Sequence, residues 1–379
     1  MLRLLTAGES HGKTLLAILD GFPAGLKIDV PSINVELKRR QGGYGRGGRQ
    51  KLEVDEVDIQ TGIWQGVTLG SPVTLAVINS DYKLERLKEI DRPRPGHGDL
   101  SGAMKYLGSV RGVLERASAR ETAVRVAAGA LSQQLLGLFG ITVFGFVLEL
   151  EQIKTTPQTG NFHELRAIRD TSPMYTLDPE ADKAIVSRVD QATQEGDTLG
   201  GVIEVRVEGL PFGLGTHAQW DRKLDGLLAQ AIMSIQAIKG VEIGLGFEAA
   251  RRPGSRVHDP IQFDPAQQGD TTLGYVRPTN NAGGLEAGMT NGQPLVIRAA
   301  KKPISTLRKP LDSINLKTKE TENAAYERSD VCALAAASVI VESVVALTVA
   351  QAFLEKFGND SVTEIRARYD LYLELARQR

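Results

Sequence analysis

From Val331 to Ala350 the chain carries a single charge, Glu342. That run approaches the length needed to cross the hydrocarbon core of a bilayer, so it either spans a membrane or fills the centre of a globular fold. A carboxylate mid-segment, a composition dominated by Ala, Ser and Val, and the lack of Lys/Arg-rich flanks favour the second. The segment is therefore expected to be a buried core helix, and no membrane association is expected.

The rest of the chain supplies elements to pack around such a helix. Runs at Val73–Ile78, Ile141–Val147, Gly201–Val207 and Pro294–Arg298 read as strands. Helical periodicity covers Val113–Leu138, Arg222–Ile238 and Val331–Phe357, and a charged helix over 362–379 closes the sequence. Gly66-Val67-Thr68-Leu69-Gly70-Ser71-Pro72 and Gly288-Met289-Thr290-Asn291-Gly292-Gln293-Pro294 each precede a strand, a loop and an Ala-rich helix, which suggests two pseudo-equivalent halves. No Pro/Ser-rich linker separates them. The expectation is one α+β domain over 1–379, with helices sandwiched against antiparallel or mixed sheets and a possible internal pseudo-twofold repeat.

A net charge of -1 argues against non-specific nucleic-acid binding. The single Cys332, in an apolar run, excludes an intrachain disulfide framework and fits a reducing compartment. The N-terminus turns polar at Gly8, too early for a secretory signal, so a cytoplasmic location is expected.

Three stretches carry candidate chemistry. Ala7-Gly8-Glu9-Ser10-His11-Gly12-Lys13-Thr14 satisfies a relaxed phosphate-loop pattern between an apolar segment and a possible helix. Ala7 stands where the stricter motif has Gly, and no strand ending in a magnesium-binding Asp follows at a suitable distance, so a nucleotide-binding enzyme is the weaker reading. Lys38 to Lys51 concentrates six cations among glycines. As a single copy in a nearly neutral chain it does not resemble a repetitive RNA-binding box; it reads as a loop that clamps a small polyanion through Arg forks. His97, in Gly96-His97-Gly98-Asp99, repeats the device of a glycine-flanked imidazole already seen at His11. Neither His has neighbours at metal-ligand spacing, so no metal is expected. Around Ala117 to Ala119, small residues leave room for a flat ligand.

Taken in order, Gly8-Glu9-Ser10-His11-Gly12, Arg39-Arg40, Arg94-Pro95-Gly96-His97-Gly98-Asp99, Glu115 to Thr122, Asn281-Ala282-Gly283-Gly284, Lys302-Pro303-Ile304-Ser305-Thr306 and Arg328-Ser329-Asp330 closely resemble chorismate synthase, from Met1 to about Gln351. The resemblance implies a lyase of the shikimate pathway that converts 5-enolpyruvylshikimate 3-phosphate to chorismate by anti-1,4-elimination of phosphate. It implies a requirement for reduced FMN, with NADPH as an indirect electron source and possibly an external flavin reductase as partner, and a homotetramer. By the family's pattern His11 is the acid at the departing phosphate, His97 serves the flavin, and Asp330 assists proton removal. Arg40 and Arg46 fall at anion or NADP contacts, with Arg39, Arg49 and Ser10 as helpers. Flavin contacts fall on Arg116, Ala117, Ser118, Gln236, Ala237, Ala287, Lys302, Pro303, Ile304, Ser305, Thr306 and Arg328. Ala287 stands where relatives often have Gly, and Gln236 where they often have Asn. Asp330 also reads as the N-cap of the long apolar helix. A non-catalytic flavin- or polyanion-binding protein on the same scaffold is the competing reading.

Overall fold

The apolar run is a helix, Leu334–Phe357, and every side chain from Leu334 to Ala350 is buried. The computed structural model describes residues 1–47, 54–156, 158–327 and 329–379. Arg49 and Arg328 lie outside the described residues.

The N-terminal half runs β1 (Arg3–Ala7), β2 (Thr14–Asp20), α1 (Val30–Gln41), β3 (Val57–Thr61), a short hairpin β4 (Ile63–Trp64) and β5 (Val67–Thr68), then β6 (Val73–Ile78). Helices α2 (Asp99–Tyr106), α3 (Val110–Ala117) and α4 (Thr122–Gly137) complete it. The C-terminal half opens with β7 (Thr142–Leu150), β8 (Ile153–Lys154), α5 (Phe162–Thr171), α6 (Pro179–Glu195), β9 (Gly201–Glu208), α7 (Leu224–Met233) and β10 (Ile238–Ile243). Hairpins β11 (Gln262–Phe263)/β12 (Tyr275–Val276) and β13 (Leu285–Glu286)/β14 (Met289–Thr290) lead into β15 (Leu295–Lys301). A further hairpin, β16 (Asp312–Ile314)/β17 (Thr321–Asn323), precedes α8 (Leu334–Phe357) and α9 (Val362–Arg377).

The two halves repeat one topology. The first sheet is ordered β1-β2-β6-β3 and the second β10-β15-β9-β7-β8, so in each the strand after a short hairpin, β6 or β15, lies between the two that flank α1 or α7 respectively. Pairing within both is antiparallel. The correspondence extends to single hydrogen bonds. Thr68 Oγ1 donates to Pro23 O at 2.6 Å and accepts from Leu26 N at 2.9 Å; Thr290 Oγ1 donates to Pro211 O at 2.6 Å and accepts from Leu214 N at 2.8 Å. At the hairpin tips Gln65-Gly66 and Ala287-Gly288 all have positive φ, the two-residue geometry suited to the twist of paired strands. The glycine-turn echo in the sequence is a structural repeat.

Helices α4 and α8 pack together and against strands of both sheets, with α1 and α7 flanking them. Small residues set the spacing of the central pair: a Cβ at Gly129 would lie 2.4 Å from the Ser343 Cβ and 2.5 Å from its carbonyl oxygen. The charge noted in the apolar run is neutralised inside the fold. Glu342 pairs with Arg39 at 3.1 Å and Arg169 at 3.4 Å, and it fits because position 145 is Gly, where a Cβ would stand 2.9 Å from that of Glu342. Removing one partner from a buried pair costs about 3–5 kcal/mol.

Several expected boundaries differ. The periodicity over Val113–Leu138 is broken between α3 and α4, because Ser118 turns the chain and caps Arg120 N, and the Arg40 guanidinium adds a bond to the Ala119 carbonyl at 2.9 Å. The stretch at Arg222–Ile238 is helical only over α7, and Ile238 begins β10. The cation-rich stretch is not all loop: Lys38, Arg39 and Arg40 form the last turn of α1, where positive charge complements the helix dipole. The phosphate-loop pattern joins two antiparallel strands, β1 and β2. No helix start is available there to cradle a nucleotide phosphate.

Candidate active site

A cavity of about 450 Å³ opens where equivalent helix ends of the two halves converge. From the first half come the β1–β2 loop, the end of α1 and the turn before α4; from the second come the residues after α7, the end of β15 and the first turns of α8. Among the described residues, six cations line it (Arg40, Arg46, Arg94, Arg120, Lys301 and Lys302) against two carboxylates, Glu327 and Asp330. The excess of positive charge selects for anions.

Both glycine-flanked histidines reach this cavity, and both are held in one way. His11 Nδ1 lies 3.0 Å from Glu115 Oε1, and its backbone N–H donates to Oε2 at 2.8 Å. His97 Nδ1 lies 2.5 Å from Asp99 Oδ1. In each case a buried carboxylate fixes the ring through Nδ1, which leaves Nε2 as the working nitrogen. Burial pushes the Glu115 carboxyl up, but the bonds from His11 and the nearby Arg111 outweigh it and hold it below its usual range. Asp99 behaves alike: burial opposes ionisation, while His97 and Arg94 pull its pKa far down. Arg94, itself buried, bonds Asp99 at 2.8 Å and Thr306 Oγ1 at 2.9 Å, tying the His97 loop to the end of β15. Glu115, Asp99 and Arg94 stand within the recognised motifs; Arg94 and Asp99 neighbour His97 in sequence, whereas Glu115 is 104 residues from His11 and nothing in the sequence pairs the two.

The arginines divide. Arg40 turns inward to Thr122 Oγ1 at 3.0 Å and Asp55 at 3.3 Å. Burial, with Arg120 and Arg46 close by, pushes its pKa down to about 10 despite Asp55. Arg46 pairs with Asp330 at 2.7 Å. Arg39 points the other way, into the Glu36–Glu342–Arg169 cluster, and does not line the cavity.

Asp330 is not a helix cap. Helix α8 begins at Leu334 behind Ala333, with no side-chain cap, whereas the Asp330 carboxylate accepts from Gly47 N at 2.6 Å and pairs with Arg46. The carboxylate is bonded by a cation and an amide and takes no part in the start of the helix.

Ser10, Ala117, Ser118, Gln236, Ala237 and the whole of Lys302–Thr306 also line the cavity. Ser118 Oγ donates to Ser10 Oγ at 3.2 Å, joining the two walls. Ala237 has φ +67, an uncommon conformation for a residue with a Cβ. Arg116 and Ala287 do not reach the cavity: Arg116 bonds Gly8 O and Thr6 on the surface, and Ala287 sits on the β13–β14 hairpin with φ +51, which explains why Gly suits that position.

The apolar part of the lining is made of Ala117, Ile235, Ala336, Ala337 and Ile340. At its margins Gln236 Oε1 and Arg46 Nε are buried with no hydrogen-bond partner. Such orphaned groups are costly unless a ligand satisfies them. A flat heteroaromatic ring with polar edges suits this wall. Among the described residues, no group of three His, Cys, Asp or Glu side chains could hold a metal ion.

Fold and site together define an enzyme for a small polyanion, with two carboxylate-backed imidazoles facing one cationic cavity. The chorismate synthase family model matches residues 2–354. The chain is 57% identical to the chorismate synthase of Geobacter metallireducens and 54% identical to that of Geobacter sulfurreducens, each over the full length of both chains. A solved structure described as a crystal structure of chorismate synthase superposes with a TM-score of 0.82 at 40% identity, covering 100% of this chain and 99% of that one. The chain belongs to the chorismate synthase family, lyases of the shikimate pathway leading to the aromatic amino acids.

Proposed function

We propose that this enzyme eliminates phosphate from 5-enolpyruvylshikimate 3-phosphate to give chorismate, with reduced FMN bound in the same cavity. The observation that carries the reading is the convergence of His11, His97, Asp330, Arg40, Arg46 and Lys302 on one cavity from segments far apart in sequence. The substrate carries two carboxylates and a phosphate, which the cationic lining neutralises.

His11, oriented by Glu115, is placed to donate a proton from Nε2 to the leaving phosphate, since neutralising charge on the departing oxygen lowers the barrier. Asp330 would accept the proton lost from the ring carbon, its carboxylate positioned by Arg46 and Gly47 N–H. The apolar lining, Ser118, Ala237 and the Lys302–Thr306 segment would hold the flavin, and the orphaned Gln236 and Arg46 atoms would meet its polar edge. Bound reduced FMN supplies transient electron donation that eases loss of the allylic phosphate. His97, fixed by Asp99, would hold a proton against that ring.

NADPH enters this proposal as an indirect source of electrons, with a separate reductase delivering reduced FMN; a cytoplasmic homotetramer is the accompanying expectation. Purified protein given reduced FMN and the phosphate ester without oxygen should release phosphate and chorismate in equal amounts. His11→Ala, His97→Ala and Asp330→Ala should each lower turnover by about two orders of magnitude with the fold intact. Flavin and ester binding without either product would overturn the catalytic reading.

A further inference from the structure

Strand β15 alternates as a half-covered strand should. Leu295, Ile297 and Ala299 are buried on the face towards the helices, and Val296, Arg298 and Ala300 are less covered. The next inward position is Lys301, which is 7% exposed. A lysine thus stands where the pattern calls for an apolar side chain, at the end of the strand that meets the cavity.

Its surroundings give the ammonium little support. Nζ donates to the carbonyl of its neighbour Lys302 at 3.4 Å, and among the described residues no carboxylate lies within ion-pair distance of it. The charged and titratable groups facing it are Arg46 and Asp330 from the chain around them, Lys302 from its own strand end, and the buried Cys332 ahead of α8. Two of these are cations, and the one carboxylate, Asp330, is already taken by Arg46 and Gly47 N–H. Burial, the dominant influence, pushes the Lys301 pKa down. A buried, unpaired ammonium is unfavourable, and its natural complement is a negatively charged ligand atom.

We infer that Lys301 is a further ligand-binding residue of this cavity, whose ammonium donates to a phosphate or carboxylate oxygen of the bound anion and takes it as counter-charge. The inference rests on the anion-binding reading above. The same oxygen chemistry is offered by the flavin phosphate and by the substrate, and the two are separable by experiment. The protein without ligand bears the cost of the unpaired charge, and the complex recovers it.

Opposite signs in two measurements follow. Lys301→Met, which keeps length and restores the apolar pattern, should raise the unfolding temperature of the ligand-free protein and yet weaken anion binding by about tenfold or more, the loss expected for one charge-assisted hydrogen bond. Binding would be followed by titrating wild type and variant with FMN, with riboflavin, which lacks the phosphate, and with 5-enolpyruvylshikimate 3-phosphate. Weakening for FMN but not riboflavin assigns Lys301 to the flavin phosphate; weakening for the ester alone assigns it to the substrate. Equal affinity of wild type and variant for all three, or a lowered unfolding temperature in the variant, overturns the inference. Lys301→Gln carries the same test should methionine not be tolerated. Failure of the wild type itself to bind FMN and the ester would refute the proposed function instead, so the two failures are distinct.

Discussion

Replacing Glu115 by Gln tests whether the carboxylate behind His11 works through charge. In the wild type the two oxygens are shared between the His11 backbone N–H at 2.8 Å and Nδ1 at 3.0 and 3.1 Å. Glutamine keeps the shape but has one oxygen. If that oxygen keeps the backbone N–H, its amide group must face Nδ1, and the imidazole can no longer donate from there. The charged ring form then loses a bond to an ionised partner, which contributes about 1.5–3 kcal/mol where a neutral bond contributes about 1. Losing that bond, about 1.5–3 kcal/mol, corresponds to a roughly 10- to 150-fold loss in turnover if His11 must be protonated when phosphate departs. Anaerobic single-turnover measurement of phosphate release, alongside FMN titration, separates this from a binding defect: flavin affinity should not change. Wild-type turnover in Glu115→Gln would refute the claim that this carboxylate sustains the acid.

Gly129→Ala adds a methyl group that helix propensity favours by about 1 kcal/mol, but it would lie 2.4 Å from Ser343 Cβ across the α4–α8 contact. Overpacking there, which costs about 1–3 kcal/mol or more, should outweigh the gain, read as a lower midpoint in denaturant; a raised midpoint would show that the helices part freely. The carboxyls of Asp99 and Glu115 are both held below their usual range. A group depressed in the folded state contributes stability above its unfolded pKa and loses it as pH falls through the folded one. Chemical denaturation between pH 5 and pH 3 should therefore show falling stability that Asp99→Asn flattens; an unchanged slope in that variant would remove Asp99 from the linkage.

Much of this molecule could be read from its residues before any coordinates. The buried helix followed from one apolar run, and the repeat from two glycine turns whose φ values leave few alternatives. What stayed hidden depended on direction. Arg39 and Arg40 are adjacent in sequence, but successive helical positions point about 100° apart, so one enters the core cluster and the other the cavity. Asp330 looked like a cap because capping is a local pattern; its true partners, Arg46 and Gly47, come from a segment far away. The break at Ser118 is invisible to periodicity because it rests on one local cap, in which Ser118 Oγ accepts from Arg120 N, between two stretches of the same helical period. Lys301 was legible in principle, as a charge in phase with Leu295, Ile297 and Ala299.

The paired hydrogen bonds of Thr68 and Thr290 show two copies of one building plan, yet the walls those copies present to the ligand are unlike. At the end of α1 the first copy contributes Arg40, and beyond the end of α7 the second contributes Gln236. A ligand lying across the pseudo-axis therefore meets Arg40 on one side and, on the other, the amide of Gln236 beside Lys301 and Lys302. Equivalent positions in the two copies carry different side chains, so a substitution at one helix end need not be matched at the other.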